Sequence, residues 1–249
     1  MMDEPPLPFE LDDGFAAGNA LGLIVLKTDE TLEVELREVF LASSIACYHA
    51  RIPSHDLVTP ETLAQMAADL PRAAALLPEG VDFGAIGYGC TSGATVIGSD
   101  NVARSVQASH PTAAVTDPIR AAVAALTAVG ARRIGLLTPY VPEVTVAMQK
   151  LLEQNGFQVV AIRSFGQSAD RIVARINLDS TLKAIEDIGK KDCDAVFVSC
   201  TNLRSFGLIE PAETLIGKPV ISSNLALAWH MLTLAGRLKP GAAPGRLFA

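Results

Sequence analysis

An internal echo constrains this chain more than any other feature. Two strand openings, Leu21-Gly22-Leu23 and Ile134-Gly135-Leu136, stand 113 positions apart. Cys90 and Cys200 stand 110 apart, each ending a short apolar run and followed by Thr and a small polar residue. Val115-Thr116-Asp117-Pro118 and Val220-Ile221-Ser222-Ser223 repeat at 105, and Leu126 to Gly130 and Leu232 to Gly236 at 106. Offsets this steady predict two α/β units of related design, separated by small insertions and deletions. The competing reading is chance similarity between any two strand–helix units.

The pattern around these anchors is strand, helix, strand. Apolar runs of strand length fall at 21–26, 44–49, 83–88, 113–116, 133–137, 157–162, 195–198 and 219–222. Helices are expected between them. One is capped by the polar run Thr28 to Thr31, and another opens at Thr59-Pro60, with proline at the first helical position and Pro71 as a kink or break. Only 5% of the residues are aromatic although 49% are hydrophobic, so Ala, Val, Ile and Leu supply the bulk. That suits buried parallel strands covered by Ala-rich helices. The expected fold is α/β, two pseudo-symmetric open parallel-sheet units with the active site in the cleft between them. Residues 1–19 read as an irregular N-terminal arm. Residues 20–117 with 222–249 read as the first unit with a C-terminal return, and 118–221 as the second.

Composition narrows the function classes. The net charge is −7, and no Lys/Arg cluster reaches the density of a nucleic-acid face. The acidic, Pro-rich start is unlike a signal peptide, and no apolar run approaches a membrane span. A reducing cytoplasm is the expected compartment. Four cysteines in 249 residues do not make a disulfide framework, and none has CxxC spacing. No GxGxxG, phosphate-binding loop or metal-binding histidine pair is present. The low aromatic content leaves room for an apolar homo-oligomer face.

In open parallel sheets, ligands bind outside the carboxyl ends of the strands. The unusual polar residues gather there: Asp29, Cys90-Thr91-Ser92, Asp117, Tyr140, Cys200-Thr201-Asn202 and Asn224. A thiol at a strand–helix turn is expected to have its pKa lowered toward neutrality by backbone N–H groups and the following helix. The same N–H groups, with Thr91, Ser92, Thr201 and Asn202, would cradle a carboxylate. Cys90 and Cys200 therefore read as paired thiols between carboxylate-binding loops; the alternative is two small buried residues. Asp29 reads either as a group that orients or deprotonates Cys90 or as a helix cap. Tyr140 reads as a donor to a substrate carboxylate or as core. Cys47 and Cys193 read as packing or surface residues.

The two Cys-Thr-Ser/Asn turns, the Thr138-Pro139-Tyr140 turn and the first strand's Thr28-to-Thr31 run resemble the aspartate/glutamate racemase superfamily. Within it they resemble the branch of maleate cis-trans isomerases and arylmalonate decarboxylases. The resemblance covers nearly the whole chain from Leu21. It implies two pseudo-symmetric units, a site between them, and neither metal nor organic cofactor. In the isomerases, the cysteine matching Cys90 adds to the double bond and that matching Cys200 supplies a proton. In the racemases, the pair serves as base and acid on opposite faces of a carbon. The decarboxylases keep only the second cysteine, so Cys90 argues against decarboxylation. Where maleate isomerases carry Asn, this chain has Asp29, as racemases do.

The resemblance implies a cofactor-independent two-cysteine isomerase of a small mono- or dicarboxylate, with maleate to fumarate as the named example. Cys90 and Cys200 would be catalytic; Asp29, Thr91, Ser92, Tyr140, Thr201 and Asn202 would bind substrate. The same-class alternative is a racemase, or an ectoine-utilization relative acting on a modified amino acid. The alternative of another class is a non-catalytic carboxylate-binding module.

Overall fold

The computed structural model describes residues 6–14, 16 and 18–249. The described residues of the arm form neither helix nor strand; positions 1–5, 15 and 17 lie outside the described residues. Two four-stranded parallel sheets follow. The first contains β1 (Ala20–Leu26), β2 (Ala46–Ile52), β3 (Phe83–Gly89) and β4 (Ala114–Thr116), in the order β2-β1-β3-β4. The second contains β5 (Arg133–Tyr140), β6 (Gln158–Gln167), β7 (Ala195–Val198) and β8 (Val220–Ser222), in the order β6-β5-β7-β8. The second order is the first with every strand number raised by four. The sheet topology therefore repeats as the sequence echo predicts.

Burial follows strand position. β1 and β7 are buried along their whole length, as strands covered on both faces must be, whereas the edge strand β6 is half-buried or exposed throughout. The matched glycines at the second position of each opening motif have a packing reason. A Cβ on Gly22 would come within 2.9 Å of Ile86 and Leu77, and one on Gly135 within 2.0 Å of Ile188. In both units the covering layer sits against the strand where any side chain would collide.

The helices are α1 (Leu32–Ala42), α2 (Pro60–Ala74), α3 (Thr91–Ile97), α4 (Ser99–Gln107), α5 (Pro118–Ala128), α6 (Pro142–Gln154), α7 (Asp170–Val173), α8 (Leu178–Gly189), α9 (Phe206–Ile216) and α10 (Ser223–Leu234). Thr59 caps α2 with Pro60 at its first turn, and Pro71 is absorbed inside the helix rather than ending it. α3 and α7 fall where no helix was expected from the sequence. α10 lies along α5 and over β3, so the last helix closes the seam between the two sheets. Glu35 of α1 pins the same seam: its carboxylate accepts from the Ser205 and Phe206 N–H groups at 2.6 and 2.9 Å and from the Asn224 amide at 2.6 Å. Among the described residues, no helix is long and apolar enough to cross a membrane.

Candidate active site

In each sheet the strand order reverses between the first and third strands, which leaves a crevice at their carboxyl ends. Cys90 follows β3 and Cys200 follows β7, the topologically equivalent strands. Both thiols line one buried cavity, together with Thr91, Ser92, Thr201, Tyr140 and Asp170. Its remaining wall is the segment joining β2 to α2 (Ser54, His55, Leu57 and Val58), with Leu26 and the α2 residues Thr62, Leu63 and Met66. The cavity offers about 20 Å³ to the centre of a water-sized sphere, room for about one water molecule. An organic acid therefore enters only if this wall moves.

The two half-sites differ in detail. Cys90 has ordinary extended backbone, φ −149°, and caps α3: its Sγ accepts from the Gly93 N–H at 3.2 Å and lies 3.7 Å from the Ser92 hydroxyl. Cys200 has φ +102°, a strained conformation for a residue with a side chain. Its N–H donates to Ser223 Oγ at 3.0 Å, and the same oxygen accepts from Thr91 at 2.8 Å. Ser223 thus ties the two cysteine loops together. No helix follows Cys200 directly; a turn over Thr201–Leu203 intervenes and α9 starts at Phe206.

The expected drop in thiol pKa does not occur. Burial pushes Cys90 up to about 12, against the opposing pull of the Gly93 N–H and the Ser92 and Tyr88 hydroxyls. Burial likewise drives Cys200 well above the usual thiol range; the nearby Asp170 carboxylate adds to this, and the Tyr140 hydroxyl opposes it. Removal from water outweighs helix-end and N–H stabilisation at both thiols. Each thiol has a tyrosine hydroxyl that acts on its charge, Tyr88 for Cys90 and Tyr140 for Cys200, although the Tyr88 hydroxyl itself donates to Met66 Sδ at 3.6 Å.

The other expected residues divide. Thr91, Ser92, Thr201 and Tyr140 reach the cavity wall, but the Thr91 proton is committed to Ser223 and Thr201 donates to the Gly89 carbonyl at 3.3 Å. Asn202 does not line the cavity. Its Oδ1 accepts from the Glu30 N–H at 2.9 Å, and its Nδ2 donates to the Asp170 carbonyl at 3.1 Å. It fixes backbone rather than presenting an amide to a ligand. Asp29 also stands behind the wall: Oδ1 accepts from the Thr31 and Leu32 N–H groups at 2.8 Å each, while Oδ2 is buried without a partner. Helix entry is its visible work, and its charge bears on Cys200 rather than on Cys90.

The sequence reading missed Asp170, His55 and Tyr88. Asp170 Oδ2 accepts from Thr28 Oγ1 at 2.5 Å, and burial raises its carboxyl to about 6, with the Asp29 and Asp56 charges adding to the rise. It lies at the start of α7, after a strand that runs five residues beyond the expected one. No motif marks it. Tyr88 could have been found from its place two residues before Cys90. Among the described residues, no group of three or more His, Cys, Asp or Glu side chains is placed to hold a metal ion.

Comparison with known proteins gives this geometry a family. The family model for arylmalonate decarboxylase matches residues 99–248. Arylmalonate decarboxylase of Bordetella bronchiseptica is 32% identical over 130 residues, 49% of this chain and 52% of that enzyme. Maleate isomerase of Nocardia farcinica is 27% identical over 223 residues, 85% of this chain and 88% of its own. Among solved structures, a cysteine-to-serine variant of Nocardia farcinica maleate cis-trans isomerase, carrying a covalently bound succinylcysteine intermediate, superposes with a TM-score of 0.84. It is 26% identical and covers 92% of this chain and 98% of that one. The Pseudomonas putida S16 maleate isomerase solved with maleate matches in fold at a TM-score of 0.84, with 23% identity over 92% of this chain and 96% of that one. The chain belongs to the arylmalonate decarboxylase family.

Proposed function

We propose that the chain is a two-cysteine cis–trans isomerase of a small unsaturated carboxylic acid of the maleate type. The observation that carries this reading is the pair of thiols at the ends of topologically equivalent strands, lining one cavity. Family relatives that are maleate isomerases, and the succinylcysteine in one of their structures, support it.

The steps follow from the two environments. Cys90 enters the cycle as the thiolate, its proton having passed to water before the wall closes, and its sulfur adds to one alkene carbon; the Gly93 N–H and the Ser92 hydroxyl stabilise that thiolate. Cys200 gives its proton to the neighbouring carbon, and Tyr140 stabilises the thiolate left behind. The former double bond is now single and rotates. Cys200 then takes a proton back from the same carbon as the C–S bond breaks. This restores the Cys90 thiolate and releases the trans isomer. Bond-making and bond-breaking balance without any redox partner. A closed cavity suits an intermediate that water would otherwise divert.

Incubation with maleate, followed by proton NMR, tests the reading. Conversion to fumarate that is lost in both Cys90→Ser and Cys200→Ser supports it. Full turnover by either variant overturns it.

A further inference from the structure

We propose that the substrate of this site presents an N–H donor, an amide or an ammonium group, to Asp170 in place of a second carboxylate. The inference rests on the two-cysteine reading and specifies the far end of its substrate. Three observations on the cavity wall carry it. First, the charged side chains that line the cavity are one carboxylate, Asp170, and no Lys or Arg among the described residues; His55 is the only other ionisable lining group besides the thiols and Tyr140. Second, Asp170 is not alone on its side. Asp29 lies behind it with a buried, unpartnered Oδ2, and its charge reaches Asp170. Third, the threonine hydroxyl protons around the cavity are already committed and Ser54 bonds Thr28, which leaves only the Ser92 and Tyr140 hydroxyls, beside the two thiols, to serve a carboxylate. Thr91 donates to Ser223, Thr201 to Gly89, Thr62 to the Leu57 carbonyl at 2.8 Å and Thr28 to Asp170 itself.

These facts make the Asp170 end of the cavity a hydrogen-bond acceptor. Asp170 Oδ2 accepts from Thr28, the Asn202 amide helps hold the carboxylate in its charged form, and Asp170 lines the cavity. A dicarboxylate would place a second carboxylate beside Asp170 with no cation on the cavity wall; Arg51 stands near Asp29 but is spent on the Leu26 and Asp29 carbonyls and on Glu33. A buried charge without a partner is among the costliest arrangements in a protein. An N–H group reverses the sign of the contact: it donates to the Asp170 carboxylate and, if it is an ammonium, neutralises its charge. The carboxylate at the other end of such a substrate then faces the Cys90 side of the cavity, where the Ser92 hydroxyl lies 3.7 Å from the thiol.

The test compares three cis acids with the wild-type protein at pH 8, where Asp170 is ionised. Maleate carries two carboxylates, maleamate replaces one with an amide, and cis-4-aminocrotonate carries an ammonium at the far end. Isomerisation is followed by NMR, and binding by the rise in melting temperature that a bound ligand produces. The expected result is that kcat/KM for maleamate or cis-4-aminocrotonate exceeds that for maleate by at least about tenfold, the scale of one well-made polar contact. In Asp170→Asn the preference for these acids over maleate should fall by at least the same factor. Which of the two is preferred separates amide from ammonium. A wild-type preference for maleate overturns the proposal, as does a preference unaffected by Asp170→Asn. If none of the three is isomerised, the two-cysteine reading fails by itself; the order of melting shifts then still decides the inference. Larger shifts with the N–H-bearing acids uphold it, and equal, absent or maleate-favouring shifts overturn it.

Discussion

The Cys90 and Cys200 loops are built from matching sequence on matching strands, yet they hold their thiols by different means. Cys90 sits in relaxed backbone at the mouth of a helix, with an N–H aimed at its sulfur. Cys200 sits in left-handed backbone with a tyrosine for company and no helix behind it. A thiol with an aimed N–H donor has its thiolate stabilised, as a nucleophile requires. Beyond burial, Asp170 raises both thiols and the Asn202 N–H eases the rise at Cys200, but Asp29 adds its field at Cys200 alone, and that thiol keeps its proton, as an acid requires. Pseudo-symmetry supplied two copies of one loop, and the surroundings divided the labour.

The largest effect that can break this comparison comes from the thiols themselves. Cys90→Ser should lose more than about 10³-fold in turnover and form no covalent adduct, because no sulfur is left to add to the alkene. Cys200→Ser should lose turnover by a similar factor, but still add substrate at Cys90. Intact-protein mass spectrometry after mixing with substrate reads the difference. An adduct in Cys90→Ser and none in Cys200→Ser would exchange the two roles.

Much of this comparison was legible in the chain before the fold was known. The Gly22 and Gly135 pair, the two cysteines and the steady offsets gave the repeated topology, because burial on both faces leaves apolar runs that sequence shows directly. The asymmetry was hidden. The positive φ of Cys200 goes with a hydrogen bond to Ser223, twenty-three residues on, and Ser223 in turn accepts from Thr91, beside the other cysteine. α3 was missed because Thr91-Ser92-Gly93 is weak helix-forming sequence, made helical by the cap at Cys90 and by packing. Asp170 was missed for a similar reason: it owes its place to the length of β6 and to contacts with Thr28 and Asn202, both distant in sequence. Asn202 looked like a ligand-binding amide because a Cys-Thr-Asn turn does not reveal that Asp170 and Glu30 already occupy it.

Asp170 provides the next test, since its charge bears on both thiols. Its carboxyl is raised from 3.8 to about 6, so the native state holds the proton more tightly than the unfolded chain does. The proton's contribution to stability is complete below about pH 4 and is lost as pH rises through 6. Asp170→Asn should therefore be close to neutral at pH 4. Above pH 6.5 it should stabilise the protein by about 1–3 kcal/mol, because each tenfold difference in proton affinity between the folded and unfolded chain is worth about 1.4 kcal/mol. Chemical denaturation at the two pH values checks the sign. A variant less stable at pH 7.5 than the wild type would mean that the carboxylate is compensated in the folded chain.

The tyrosines should separate the half-sites by smaller factors. Tyr140→Phe removes the hydroxyl that steadies the Cys200 thiolate and should slow turnover by about tenfold, the worth of one hydrogen bond to a charged group. Adduct formation at Cys90 should be nearly unchanged. Tyr88→Phe should do the reverse, slowing adduct formation first. Equal effects of both substitutions on both steps would remove the division of labour.

The smallest effect probes backbone alone. At Cys200, φ +102° favours glycine, which populates that region without a Cβ penalty. At Cys90, φ −149° suits any residue, and glycine brings only its extra chain entropy. The informative quantity is the stability of the glycine variant minus that of the alanine variant at each position, because both have lost the sulfur. At Cys200 glycine should exceed alanine by about 1 kcal/mol, and at Cys90 alanine should exceed glycine by about 0.5–1 kcal/mol. Denaturant midpoints of the four variants give the comparison. If alanine wins at both positions, Ser223 does not hold Cys200 under strain, and the contrast between the loops reduces to their neighbouring side chains.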